Sequence, residues 1–212
     1  ALTLGGYGLS VVLRDWRKGF NPLLDGNIKF SDGDKFPSVD VLVAARDEEN
    51  VVERLVNRLA TINYPKDKIL ISIIDDGSID ETPYLLKKLI KNLPNFQVIS
   101  RSRSDGGGKS GALNDALKKT SGEWLFILDA DAELQEDVLL RVIPFAEQFN
   151  WSAVQLRKSV LNANKTRIAC FQAMEMAMDA VIQRGRLHSA GIVELRGNGQ
   201  LLRRDTLDIC GG

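Results

Sequence analysis

"EWLFILDAD", residues 123 to 131, is a run of five apolar side chains that ends in two carboxylates two positions apart. Such a run reads as a short buried strand, with its acidic end marking where the chain leaves the sheet. "KILISIIDD", residues 68 to 76, has the same form and ends in Asp75 and Asp76. "VDVLVAA" (39–45) is a third apolar run, rich in β-branched residues, and "FQVIS" (96–100) a fourth. Helical patterns separate them. In "EENVVERLVNRLATI", Val51, Val52, Leu55, Val56, Leu59 and Ile62 form one apolar stripe. "ETPYLLKKLIKNL" carries Pro83 in its first turn, where proline is tolerated, and Asp80 stands ready as its cap. "KSGALNDALKK" predicts a short helix, and "EDVLLRVIPFAEQF" a longer one that Pro144 is placed to bend. Alternating strands and helices predict an α/β fold, with a largely parallel sheet and helices on both faces. Ligands of such sheets bind beyond the carboxyl ends of the strands. Both acidic pairs lie there.

Further on, "WSAVQLRKSV" predicts a fifth strand, "RIACFQAMEMAMDAVIQRGR" a long helix and "GQLLRR" a last strand. Met174, Met176 and Met178 in the long helix read as packing residues, since methionine fills irregular gaps.

The chain has 212 residues, enough for one well-buried domain. Its 28 basic and 28 acidic residues cancel, so it lacks the global basic field that non-specific nucleic-acid binding needs. Cys170 and Cys210 are far apart and lack metal-ligand spacing, which argues against a disulfide framework or a zinc site. The lone histidine, His188, excludes any mechanism that needs two. Residues 1–38 read as a membrane-proximal segment and connector, and the domain proper begins at residue 39. The opening "ALTLGGYGLSVVL" is apolar but too short to cross a hydrocarbon core of about 30 Å. The "RDWRK" that follows suits the cytoplasmic flank of a membrane span, although an ordinary surface helix or strand fits the same residues.

"DGGGKSGALN" (105–114) invites comparison with a triphosphate-binding loop. That loop requires a glycine five residues before Gly108, and Arg103 stands there instead. ATP chemistry is thereby reduced to a minor alternative. Asp129 and Asp131 suit a hard divalent ion, Mg²⁺ or Mn²⁺, which takes one or two carboxylates and completes its shell with water and phosphate oxygens. Taken singly, an acidic pair of this kind is also a common solvated turn. In "IIDDGSIDET", Asp76 can accept the imide N–H of a uracil, and Gly77 with Ser78 forms a tight turn.

Five elements occur in order: "VLVAARDEENVVERLVNRLATINYP", "IIDDGSIDET", "GGKSGALNDAL", "ILDADAEL" and "GNGQLLRRDTLDICGG". Together they resemble the family 2 glycosyltransferases with a GT-A, Rossmann-like nucleotide-diphosphosugar fold, over residues 39 to 212. The resemblance implies that Ala44, Ala45 and Glu48 line the nucleotide pocket, with Ala44 in place of the family's proline and Asp47 in place of its asparagine. It implies that Asp76 holds the uracil, that Lys109 lines the nucleotide and sugar site, and that Asp129 reaches the ribose and sugar. Asp129 and Asp131 would form the metal site. Finer likeness in "AVQLRKSVLNAN", "QAMEMAMDAVIQRGR" and "GIVELRGNGQLLRR" points to the membrane glycolipid synthases of the family. That implies inverting transfer of glucose from UDP-glucose to diacylglycerol, by a membrane protein whose catalytic domain faces the cytoplasm. Polysaccharide synthases share the same core and are the alternative, and a non-catalytic nucleotide-binding module is another.

Family members carry an acidic [TS]-[ED]-D segment shortly after a "GG" like Gly211-Gly212, and its aspartate is the expected general base. The catalytic base is therefore expected beyond Gly212. Residues 1–212 read as an excised fragment that binds UDP-sugar incompletely and turns over poorly. Glu194 lies near that loop, but its position in the sequence alone gives it no catalytic role.

Overall fold

The computed structural model describes residues 35–191 and 193–211, together with Leu13 and Phe30. The apolar opening stretch apart from Leu13, its basic flank and most of the connector lie outside the described residues. In chain order the elements are β1 (Val39–Ala45), α1 (Val52–Ala60), β2 (Ile69–Asp76), α2 (Thr82–Ile90), β3 (Phe96–Arg101), α3 (Gly108–Leu117), β4 (Trp124–Asp129), α4 (Val138–Gln148), β5 (Ala153–Gln155), α5 (Arg167–Ala190), β6 (Gln200–Arg203) and α6 (Arg204–Cys210). The strands form one sheet in the order β3-β2-β1-β4-β6-β5. β3, β2, β1 and β4 run parallel, and β6 runs antiparallel to β4. The predicted α/β architecture with a largely parallel sheet is thus observed.

The described residues divide into two compact units. One holds 35–154 and 197–211, and contains the sheet up to its last edge; the other holds residues 155–196 and is dominated by α5.

Strand register explains how the sheet unit is packed and how its edge is furnished. Side chains alternate between faces with a period of two. Leu42, Ile74, Ile99 and Leu125 fall on one face, where they form a core with Ala112 and Ala116 of α3. Val41, Val43, Ile71, Ile73, Phe126 and Leu128 fall on the other and are also buried. Both faces are covered, which is why these strands read as unbroken apolar runs rather than as alternating ones. The same alternation carries Ala44, Asp76, Arg101 and Asp129 onto the face packed by α3. The edge chemistry follows from the core pattern.

At the opposite end of the sheet, Asp40 is buried and accepts hydrogen bonds from the Gly122 N–H (2.6 Å) and from Arg204 Nη2 (2.8 Å). Arg204 also donates to the Gly122 carbonyl at 2.7 Å and to Thr120 Oγ1 at 2.9 Å. A buried carboxylate is tolerable only when paired and hydrogen-bonded in this way. The pair pins the start of α6 to the base of β1, although 164 residues separate them in sequence.

Several sequence expectations shift in detail. The fifth strand is confined to three residues of the ten expected, and β3 extends one residue further, to Arg101. α4 continues through a buried Pro144 to Gln148. Asp80 does serve the start of α2, accepting the Thr82 N–H at 3.0 Å. Met174, Met176 and Met178 are exposed rather than packed. The packing reading rested on methionine's use as a gap-filler, which does not report what covers the helix. Among the described residues no helix is long and apolar enough to cross a membrane.

Candidate functional site

Four loops follow the carboxyl ends of β1, β2, β3 and β4, and the sequence-predicted residues of this edge sit on or beside them. The first two loops are laced together. Asp47, held at a positive φ of 54°, donates its N–H to Ser78 Oγ (3.0 Å), and its carboxylate accepts the Ile79 N–H (2.8 Å). Glu48 donates its N–H to Thr82 Oγ1 (2.8 Å), while its carbonyl accepts the N–H groups of Val51 and Val52 and so starts α1. Asp75 is buried and receives the Ser78 N–H at 3.0 Å, which closes the turn at Gly77. Of the adjacent acids, Asp75 is thereby consumed by structure and Asp76 remains for the site face.

Asp76 is itself buried and paired. Arg101, its register partner on β3, forms an ion pair with it, and Arg46 Nη1 lies 3.7 Å from its other oxygen. Arg101 in turn meets Asp115 of α3 (2.8 Å) and donates to the Gly106 carbonyl (3.0 Å). Lys118 and Arg101 together hold the Asp115 carboxyl below its ordinary range. Arg101 was missed from sequence because the strand reading stopped at Ser100. A basic residue in register with Asp76, one position further on, was the available signal.

The loop after β3 has three consecutive glycines, Gly106, Gly107 and Gly108, all at positive φ between 52° and 74°. Residues with a Cβ rarely adopt such a run, so the glycines are required by the path of the chain into α3. That path sets Lys109 in the first turn of α3, where its ammonium forms an ion pair with Asp129. The backbone N–H of Asp129 donates to Asn198 Oδ1 at 3.0 Å, bringing the "GNG" turn to the same strand end. Two residues on, Asp131 is exposed on the next loop. That loop is anchored by Arg58, which donates to the Ala132 carbonyl and pairs with Glu133 at 2.6 Å.

Ala44 is Asp129's register partner on β1, half-buried between the acidic strand ends, and Ala45 is buried on the other face beside Asp75. The structure therefore brings Ala44, Asp76, Lys109 and Asp129 to one face of one edge. Glu48 and Asp131 lie on loops that leave that edge. Arg46, Arg101 and Asn198 are polar additions that sequence reading did not supply.

Asp129 and Asp131 present only oxygen donors, the set preferred by Mg²⁺ and Mn²⁺. No cluster of three or more His, Cys, Asp or Glu side chains suited to a metal occurs among the described residues. An ion at this pair would thus draw most of its shell from water or from a ligand's oxygens. The carboxylates fit such an open site.

Glu194 lies in the other unit, tied to side chains of that unit. Arg196 Nη2 donates to it at 2.7 Å, Arg186 forms an ion pair with it, and Gln183 donates at 3.3 Å. These bonds, Arg196 first, hold its carboxyl down to about 2. A proton acceptor held so low is a weak base near neutrality. A group depressed in the folded state contributes stability above its ordinary value and loses it only as pH falls through the lowered one. The Glu194 carboxyl carbon is therefore expected to titrate near pH 2 in an NMR pH series and to move upward in high salt, since the cluster is exposed. Titration between pH 4 and 5 at low salt would show that the cluster does not hold in solution.

Comparison with known proteins identifies the family. The beta-monoglucosyldiacylglycerol synthase of Nostoc sp. is 44% identical over 176 residues, covering 83% of this chain and 38% of that protein. The synthase of the same name from Synechocystis sp. is 40% identical over 191 residues, covering 90% and 39%. The chain thus spans under two fifths of the length of these curated relatives. Among solved structures, a mannosyltransferase from Pyrobaculum calidifontis in complex with GDP-Man and Mn²⁺ matches with a TM-score of 0.72 at 21% identity, over 100% of this chain and 57% of that one. At that identity the likeness shows the GT-A fold alone. The profile described as Glycosyl transferase family 2 matches residues 40–183, and the chain belongs to that family.

Proposed function

We propose that this chain is the donor-binding core of an inverting hexosyltransferase that moves glucose from UDP-glucose to diacylglycerol. The observation that carries the reading is the gathering of Asp76 with Arg101 and of Asp129 with Lys109 on one face of one sheet edge. Identity of 40–44% to the glycolipid synthases supports the sugar and the lipid acceptor.

In this reading Asp76 accepts the uracil imide N–H, and its pairs with Arg46 and Arg101 fix its direction. Ala44, Ala45 and Glu48 line the nucleotide pocket, where small side chains leave the base room beside the strand end. Lys109, which faces Asp129 here, turns its charge to the diphosphate and sugar when the donor enters. Asp129 and Asp131 would hold the divalent ion, Mg²⁺ or Mn²⁺. Bound there, it would neutralise charge on a departing diphosphate. Asn198 fixes the backbone from which Asp129 projects, so that the carboxylate needs little reorganisation on binding. The protein as a whole would act at a membrane, with its catalytic domain on the cytoplasmic side.

The test is calorimetric titration with UDP and then with ATP, each with Mn²⁺ and with EDTA. UDP binding that requires the ion, with ATP at least tenfold weaker, is the expected result. ATP binding in preference to UDP would overturn the reading and restore a phosphotransferase.

A further inference from the structure

Arg101 ends β3 with its side chain only 5% exposed, and each guanidinium nitrogen serves a different segment. Nη1 pairs with Asp76 at the end of β2, Nε donates to Asp115 Oδ2 of α3 at 2.8 Å, and Nη2 donates to the Gly106 carbonyl at 3.0 Å. Lys118 steadies Asp115 from its other oxygen at 2.9 Å. The joint is close-fitting. A Cβ on Gly111 of α3 would stand 2.7 Å from the Gly106 oxygen and 3.1 Å from Arg101 Nη2. Position 111 is helical, so this contact rather than its backbone angle calls for glycine there.

Gly106 opens the loop that leads into Lys109. Residues 106 to 108 have no side chains with which to fix themselves, and all three lie at positive φ. One guanidinium thus holds both the carboxylate assigned to the base and the loop that presents the lysine assigned to the diphosphate. Arginine suits this place because its planar fork sends donors in fixed directions, whereas a lysine ammonium could not satisfy three separated acceptors. An unpaired buried charge is costly, so a guanidinium that loses Asp76 is drawn toward Asp115 and off the Gly106 carbonyl. We infer that Arg101 is a positioning residue that couples the two ends of the donor site, setting Asp76 and the Lys109 loop together rather than independently. The roles of those two ends rest on the donor reading above; the coupling itself is a property of the fold.

The experiment compares the 212-residue chain with its Asp76→Asn and Arg101→Lys variants. Inorganic pyrophosphate with Mn²⁺ probes the diphosphate end alone, since it has no base to meet Asp76. Coupling predicts that each variant weakens pyrophosphate binding by roughly fivefold, the scale of interaction within one hydrogen-bonded network, and that the double variant is no worse than Arg101→Lys. Removing the Asp76 charge would by itself favour an anion, so the sign separates coupling from simple electrostatics. A merely structural Arg101 would lower the melting temperature of Arg101→Lys and leave pyrophosphate affinity well below melting unchanged. Amide hydrogen exchange in the unliganded chain is the second readout. Residues 106–110 are expected to exchange about fivefold faster in both variants, with β1 and β4 unchanged. Asp115→Asn attacks the same joint from α3 and should speed the same amides; its side chain is 35% exposed, which guards against a variant that fails to fold. Pyrophosphate binding that strengthens in Asp76→Asn, or loop exchange like the parent's in all three variants, would overturn the inference. Loop exchange needs no nucleotide. A parent that prefers ATP to UDP would therefore overturn the donor reading, while the exchange result would still decide the coupling.

Discussion

Replacing Asp129 with alanine is expected to remove the metal-dependent part of UDP affinity, a loss on the order of hundredfold in calorimetric titration with Mn²⁺. Two effects combine at this residue. Its carboxylate is one of the two oxygen donors at the strand end, and it is also the partner of Lys109. Without it, a divalent ion at the proposed pair would keep only Asp131, and Lys109 would lose the contact that aims it across the edge. The fold should be little affected. The Asp129 N–H to Asn198 bond belongs to the backbone and survives, and the Lys109 side chain is 38% exposed, so losing its partner costs little. Melting unchanged while UDP binding falls is thus the expected pair of results. Asp129→Asn should fall between, since it keeps the shape and an oxygen but loses the charge. UDP affinity within threefold of the parent in Asp129→Ala would remove this residue from the site.

Gly77→Ala is expected to destabilise the fold by about 4 kcal/mol in chemical denaturation, the sum of a left-handed backbone penalty and an overpacking penalty. Gly77 has φ +73°, a conformation unfavourable for alanine. A Cβ there would stand 2.4 Å from the backbone nitrogen of Arg103 and 2.6 Å from its Cα. Both obstacles are main chain, so no side chain can swing away to make room. Relief requires the loop after β3 to move, and that loop carries Arg101's contact to Gly106 and the entry into α3. Donor affinity should therefore fall together with stability, unlike in Asp129→Ala. A loss under about 1 kcal/mol would mean that the two loops do not approach so closely in solution.

How much of this was legible beforehand depended on the range of the forces involved. β1 to β4 and α1 to α4 were readable because each carries its own pattern within ten or so residues. The acidic pairs were readable for the same reason, being local features of strand ends. Arg101 was not, since its role exists only when β3 lies beside β2 in one register. Asn198 reaches Asp129 across 69 residues, and no local pattern reports such a bond. The short β5 and the exposed methionines were misjudged because apolar content was read without knowing what would cover it.

From sequence alone came the parallel α/β fold, the edge where the acidic residues gather and the resemblance to the glycosyltransferase family. These rest on periodicity and on short motifs, which act through neighbours in the chain. Only the tertiary structure decided that Asp75 closes a turn while Asp76 pairs with Arg101, that Lys109 pairs with Asp129, and that the methionines of α5 are exposed. Each of those outcomes depends on which surfaces meet when distant segments pack, and burial is a property of the packed whole rather than of any stretch within it.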